Sequence, residues 1–167
     1  KFYRPDNAVL MITGKFETED MLARVADKFG ALKAPDFPVR DSYTEEPAQD
    51  GEKRVTVSRV GDLKLVSALY HTPAGSHPDF APMSIVENIL TDEPSGRLYK
   101  ALVETQKASS VWSYIPFTKE PGFIYINAEV PSDKDADEVE AILKQTLEDL
   151  KTNPITQEEV DRAKANL

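Results

Sequence analysis

His71 and His77 are the only histidines in the chain, so any zinc or imidazole-base chemistry would have to begin with them. Standing six residues apart, they cannot share one helix face as the paired histidines of a zinc helix do. Pro73, Gly75 and Pro78 place one at a strand end and the other in a turn. Asp79 and Glu87 are candidate further ligands, but a zinc site takes three or four converging protein groups, and this spacing converges none. The expected roles are therefore a strand-end histidine and a histidine in a helix-capping region.

Serine chemistry fares no better. Ser95-Gly96 lacks the G-x-S-x-G elbow that exposes a nucleophilic hydroxyl, and no third group is placed to orient a histidine base. The glycines form neither G-x-x-x-x-G-K-[ST] nor G-x-G-x-x-G, so no phosphate loop is present. Trp112, Tyr114, Phe117, Phe123 and Tyr125 have the look of a stacking platform on strands. Without basic residues interleaved among them, core and cross-strand packing is expected instead. No residue is assigned to catalysis, to a cofactor or to a metal, and no substrate-binding residue is identified.

Composition narrows the partners. A formal net charge of −9 argues against nucleic acid, because binding phosphates takes clustered Lys and Arg that displace counterions. Much of the acid lies between Glu129 and Asp161 and reads as solvated helix surface, with an electrostatic preference for basic partners or peptides as the second reading. With no cysteine in the chain, disulfides, thiolate zinc sites and a cysteine nucleophile are excluded, and the redox compartment is left open. No apolar run approaches the roughly 20 residues of a membrane-spanning helix. At 167 residues the chain has the length of one domain able to bury a continuous core, and Lys1 in first position predicts a segment excised from a longer chain.

The elements that would position these residues follow from apolar spacing. Residues 8–13 (AVLMIT) read as a strand buried on both faces, and a helix carrying Met21, Leu22, Val25, Ala26 and Phe29 follows, stopped by Gly30. Residues 31–52 read as a proline-punctuated connector. An alternating run at 54–59 (RVTVSR) and the run at 63–71 (LKLVSALYH) predict a hairpin. Residues 76–105 then give two helices joined by a turn. The first has Pro78 in its opening turn, Ser76 or His77 as cap, and Met83, Val86, Ile89 and Leu90 inward; the second has Ser95 as cap and Leu98 and Leu102 inward.

Residues 109–117 and 122–130 predict a second hairpin, with Ile124, Ile126, Ala128 and Val130 on the core face. Ser132 and Asp135 have capping-box spacing before a helix with Val139, Ile142, Leu143, Leu147 and Leu150 inward. Thr156 and Glu159 form a second box before a last helix. Helices of this length cannot bury their stripes alone, so the expected fold class is α+β, a mostly antiparallel sheet with helices on one face.

Four stretches, in order, resemble the second domain of the pitrilysin/insulinase family of zinc metallopeptidases, which includes the mitochondrial processing peptidases. They are residues 2–16 (FYRPDNAVLMITGKF) with KFGAL at 28–32, residues 70–80 (YHTPAGSHPDF), residues 95–104 (SGRLYKALVE) and residues 155–167 (ITQEEVDRAKANL). The resemblance implies two halves, each of two similar α+β domains, that close around a chamber where an unfolded peptide is cut. It implies zinc in the first domain of the active half, held by an inverted H-x-x-E-H motif whose glutamate is the general base, and this chain has no such motif. The pattern L-R-x-x-x-x-L-x-Y, which reaches across from the non-zinc half, is also lost, since the matching run begins Leu102-Val103 and reaches Ser110.

The resemblance therefore implies a non-catalytic peptidase-like domain following the zinc-bearing domain, with chamber wall and scaffold as its role and zinc in the preceding domain of the parent. Its implied partners are the other domains or partner half of the same peptidase and a peptide substrate. The alternative is a scaffold or interaction module of a catalytically dead homologue. An independent hydrolase built on His71 is a third reading and lacks a second group to complete it.

Overall fold

A strand persists where a neighbouring backbone completes its hydrogen bonds, and among the described residues that condition is met at three places. The computed structural model describes residues 2–39 and 48–167. It comprises two units, Lys1–Val55 and Thr56–Leu167.

In the first unit a 3₁₀ turn at Pro5–Asn7 is followed by helix α1, Thr18–Phe29, with Glu19 and Asp20 in its first turn, where carboxylates suit the helix dipole. Gly30 closes α1 as expected, its N–H donating to the Ala26 carbonyl at 2.9 Å. Arg4 is buried; it donates to both Asp6 carboxylate oxygens at 2.5 Å and to the Phe37 carbonyl at 2.7 Å, with its guanidinium 5.1 Å from the Phe37 ring centre. The expected strand at 8–13 is not formed. These residues lie outside any strand ladder among the described residues, with Val9 93% exposed. The connector expected at 31–52 falls partly on residues 40–47, outside the described residues, and its described parts carry no helix or strand.

The second unit holds the sheet. Strands β1 (Leu63–Thr72), β2 (Ser110–Tyr114) and β3 (Gly122–Pro131) are ordered β1-β3-β2, all antiparallel. The hairpin expected between 54–59 and β1 is absent, because 54–59 has no ladder partner among the described residues and Val57 is 70% exposed. Alternation at 54–59 supplies the pattern of a strand and not the partner that makes one.

Helix α2 (Phe80–Thr91) starts two residues later than Pro78 predicts. A turn intervenes, with the Phe80 N–H donating to the His77 carbonyl at 3.0 Å, and neither Ser76 nor His77 is the cap. The second helix of the pair is a π-helical turn, Tyr99–Val103, in which the Glu104 N–H reaches the Tyr99 carbonyl five residues back at 3.1 Å. Ser95 is not its cap; its hydroxyl donates to Asp92 Oδ2 at 3.2 Å. The inward residues nevertheless hold, with Leu98 and Leu102 fully buried.

Helix α3 (Ala136–Glu148) is capped by Asp135, whose carboxylate accepts the Asp137 N–H at 2.9 Å, in place of the Ser132 box. Helix α4 (Gln157–Asn166) starts on the expected Thr156–Glu159 capping box, with both bonds present. The core forms between Leu90, Leu98, Leu102, Val139 and Leu143 on one side and Ile124, Ile126, Ala128 and Val130 of β3 on the other, so the helices cover one face of the sheet.

Gly96 is fixed by crowding. A Cβ there would stand 2.7 Å from the Asp92 carbonyl oxygen and 2.8 Å from Asp92 N and Leu90 O, all backbone atoms with nowhere to move. Gly96→Ala is expected to destabilise the chain by about 2 kcal/mol and lower its melting temperature by roughly 5 °C. An unchanged calorimetric melt would show that the α2 to π-turn junction can relax.

Candidate functional site

The face of the sheet away from the helices carries several exposed side chains, and the register decides which. Residues opposite each other in an antiparallel pair share a face. The row Leu65, Glu129, Ser110 is followed by Ser67, Asn127, Trp112, then by Leu69, Tyr125, Tyr114, and β1 and β3 continue to His71 and Phe123. Successive rows are two residues apart along each strand, and the residues between them turn to the helices.

The aromatic residues expected to pack in the core or across strands stand on this open side. Trp112 is 42% and Tyr114 54% exposed; Phe123 is also exposed, and Phe117, beyond the end of β2, meets Phe80 edge to face at 5.2 Å. The reason is parity: β2 sends Val111 and Ser113 to the core, leaving Trp112 and Tyr114 to the other face. Cross-strand packing is realised in the Trp112–Tyr125 pair, edge to face with ring centres 5.8 Å apart.

Asn127 lies in the middle of this face and is fully buried. Ser67 Oγ donates to Asn127 Oδ1 at 2.7 Å and lies 3.1 Å from Tyr125 Oη. A serine hydroxyl has one proton, so the tyrosine must be the donor in that second bond. Asn127 Nδ2 has no hydrogen-bond partner. Glu129, one row along, has no partner for its carboxylate among the described residues, and the three rows contain no Lys or Arg.

A second concavity is polar. An open depression of about 410 Å³ is lined by Arg97, Lys100, Thr146, Asp149, Asn153, Thr156 and Glu159. Arg97 is fully committed there: Nε and Nη2 donate to the two Glu159 carboxylate oxygens at 2.8 Å, Nη1 to the Asn153 carbonyl at 2.7 Å, and Nη2 also to the Pro154 carbonyl at 3.1 Å. Arg97 and the backbone and hydroxyl of Thr156 hold the Glu159 carboxyl down to about 2, and Glu159 in turn raises the Arg97 guanidinium. This is a fold clamp, joining the residues just before the π-turn to the start of α4.

The two histidines lie on different elements. His71 lies near the end of β1 opposite Phe123, and His77 lies in the turn before α2, its Nδ1 accepting the Asp79 N–H at 3.2 Å and standing 3.7 Å from the Asp79 carboxylate. Glu87, on α2, is half-buried, and that burial raises its carboxyl against a smaller opposing hydrogen bond from Ser113. Among the described residues no group of three or more His, Cys, Asp or Glu is close enough to hold a metal ion. None of the described helices is long and apolar enough to cross a membrane. The sequence reading missed Asn127 and the Arg97–Glu159 pair. A lone asparagine in GFIYINAEV was a signal for the first; 62 residues of separation left none for the second.

The family description "Peptidase M16 inactive domain" matches residues 1–167. The chain is 29% identical over 169 residues to the zinc protease PqqE of Helicobacter pylori, across 99% of its own length and 38% of that protein. The crystal structure of the inactive peptidase domain of an inferred zinc protease from Bordetella parapertussis superposes with a TM-score of 0.59 at 39% identity, covering 67% of this chain and 61% of that one. A protease structure from Helicobacter pylori superposes with a TM-score of 0.81 at 26% identity, over 92% of this chain and 38% of that one. The chain thus spans less than two thirds of each of these relatives, and well under half of the two Helicobacter pylori proteins. An α+β sheet with helices on one face and a family match along the whole sequence agree with the resemblance carried by the four stretches: the chain belongs to the peptidase M16 inactive domain family.

Proposed function

We propose that this inactive domain is the non-catalytic module of a zinc metallopeptidase, residues 1–167 acting as one building block of a longer chain, and that it forms part of the wall against which a peptide substrate lies. The observation that supports this is the open sheet face. It presents exposed apolar and aromatic side chains on three strands, and among the described residues the outer sides of β1 and β2 are unpaired. Extended peptides use such surfaces through backbone pairing and alternate side-chain contacts. The catalytic zinc would then belong to a preceding domain of the parent.

The test is a titration of the isotopically labelled chain with extended peptides, followed by backbone amide shifts. Shifts at β1, β2 or β3 support the reading, and no shift at millimolar peptide removes it. Elemental analysis of the same protein is expected to find no stoichiometric zinc, and a quenched fluorescent peptide should remain uncut with and without chelator. Bound zinc with chelator-sensitive cleavage would assign a site to this chain after all. An H-x-x-E-H motif in the preceding domain of the parent makes that parent an enzyme; its absence makes the module a scaffold of a dead homologue.

A further inference from the structure

We infer that the open sheet face is a side-chain-selective subsite, taking an extended peptide segment in which an apolar or aromatic residue lies two positions from a basic one; this rests on the wall reading above. The Trp112–Tyr125 pair offers an exposed indole against a partly buried tyrosine ring, flanked by the exposed side chains of Leu69 and Tyr114. One row from Trp112, and two from Tyr125, stands Glu129, a carboxylate without a partner among the described residues, beside Leu65 and the small Ser110. No Lys or Arg shares these rows to compensate it.

Same-face side chains of an extended chain repeat about every 6.6–6.8 Å, the same interval that separates the Trp112 row from the Glu129 row. A peptide running along the strands therefore sets residue i over Trp112 and residue i+2 at Glu129. Covering Glu129 with an apolar surface would strand its charge, whereas a Lys or Arg at i+2 brings the counter-charge with it. In the same row as Trp112, Asn127 Nδ2 is a buried donor without an acceptor, which a peptide carbonyl would satisfy once the Trp112 and Tyr125 rings part to admit it.

Trp112 is the only tryptophan of the chain, so its emission reports this face alone. The probes are three ten-residue peptides with Gly-Ser flanks and the cores Phe-Ser-Arg, Phe-Ser-Glu and Ser-Ser-Arg, titrated against the full chain with emission and amide shifts followed together. Phe-Ser-Arg is expected to change Trp112 emission and to bind about tenfold tighter than either other peptide, with Glu129→Gln reducing its advantage over Phe-Ser-Glu to less than about threefold at unchanged circular dichroism. Equal binding of all three, or amide shifts elsewhere with Trp112 silent, would overturn the subsite and leave the peptide wall standing. No shift from any peptide would overturn both. Emission that changes with protein concentration and not with peptide would make the face a contact between copies and overturn the inference.

Discussion

Replacing Leu102 with alanine is expected to destabilise the chain by about 3–4 kcal/mol. Leu102 lies in the π-turn, is fully buried, and belongs to the cluster that joins Leu98, Ala108 and Leu143 to the core face of β3. Removing its branched end takes away the transfer free energy of the lost methyl groups and leaves a cavity, which a core built from a sheet and several short elements can only partly close. The matched control is Leu22→Ala on α1, where the side chain is 57% exposed and the expected change is under about 0.5 kcal/mol. Urea denaturation of both variants decides the matter. Midpoint shifts of equal size would mean that the π-turn does not anchor the core.

Breaking the clamp at Arg97 comes next in size. Arg97→Ala removes four hydrogen bonds to Glu159, Asn153 and Pro154 and leaves a largely buried carboxylate without its cation, an expected loss of about 2–3 kcal/mol. The pH dependence carries a definite sign. Glu159 is held at about 2 in the folded chain against an ordinary 4.5, so the folded state favours the ionised form. Its contribution is fully present above the ordinary carboxylate range and is lost as pH falls toward 2. With partial exposure to water discounted, that contribution is roughly 2 kcal/mol at neutral pH. The stability gap between the wild-type chain and Glu159→Gln should thus be widest near pH 7 and shrink steadily below about pH 5. A gap independent of pH would remove the ion pair as its cause.

These two variants also mark where the sequence was legible. Local rules located what depends on neighbours in the chain: Gly30 as a helix stop, the Thr156–Glu159 box, and the alternation of β3 that buries Ile124, Ile126, Ala128 and Val130. The fold class followed, since apolar stripes on short helices require a sheet to cover. Leu98 and Leu102 were correctly placed inward even though their helix proved to be a π-turn, because burial follows spacing more closely than hydrogen-bond register.

What failed locally also has local causes. Capping at Ser76, Ser95 and Ser132 was plausible by residue type, yet Asp135 and turn backbone bonds took those roles, since several short polar side chains within a few residues compete for the same N–H groups. The strands expected at 8–13 and 54–59 carried the correct apolar patterns and no ladder partner among the described residues.

By itself the sequence determined which residues are apolar at which period, where helices stop, that neither a metal-ligand motif nor a nucleophile motif is present, and, through four ordered stretches, the family. Only the tertiary structure decided that Trp112 and Tyr114 face away from the helices, that Asn127 is buried between Ser67 and Trp112, and that Arg97 meets Glu159 across 62 residues. Such facts depend on strand register and on which face the helices cover. A one-residue change of register would exchange the two faces without altering a single letter of the local pattern.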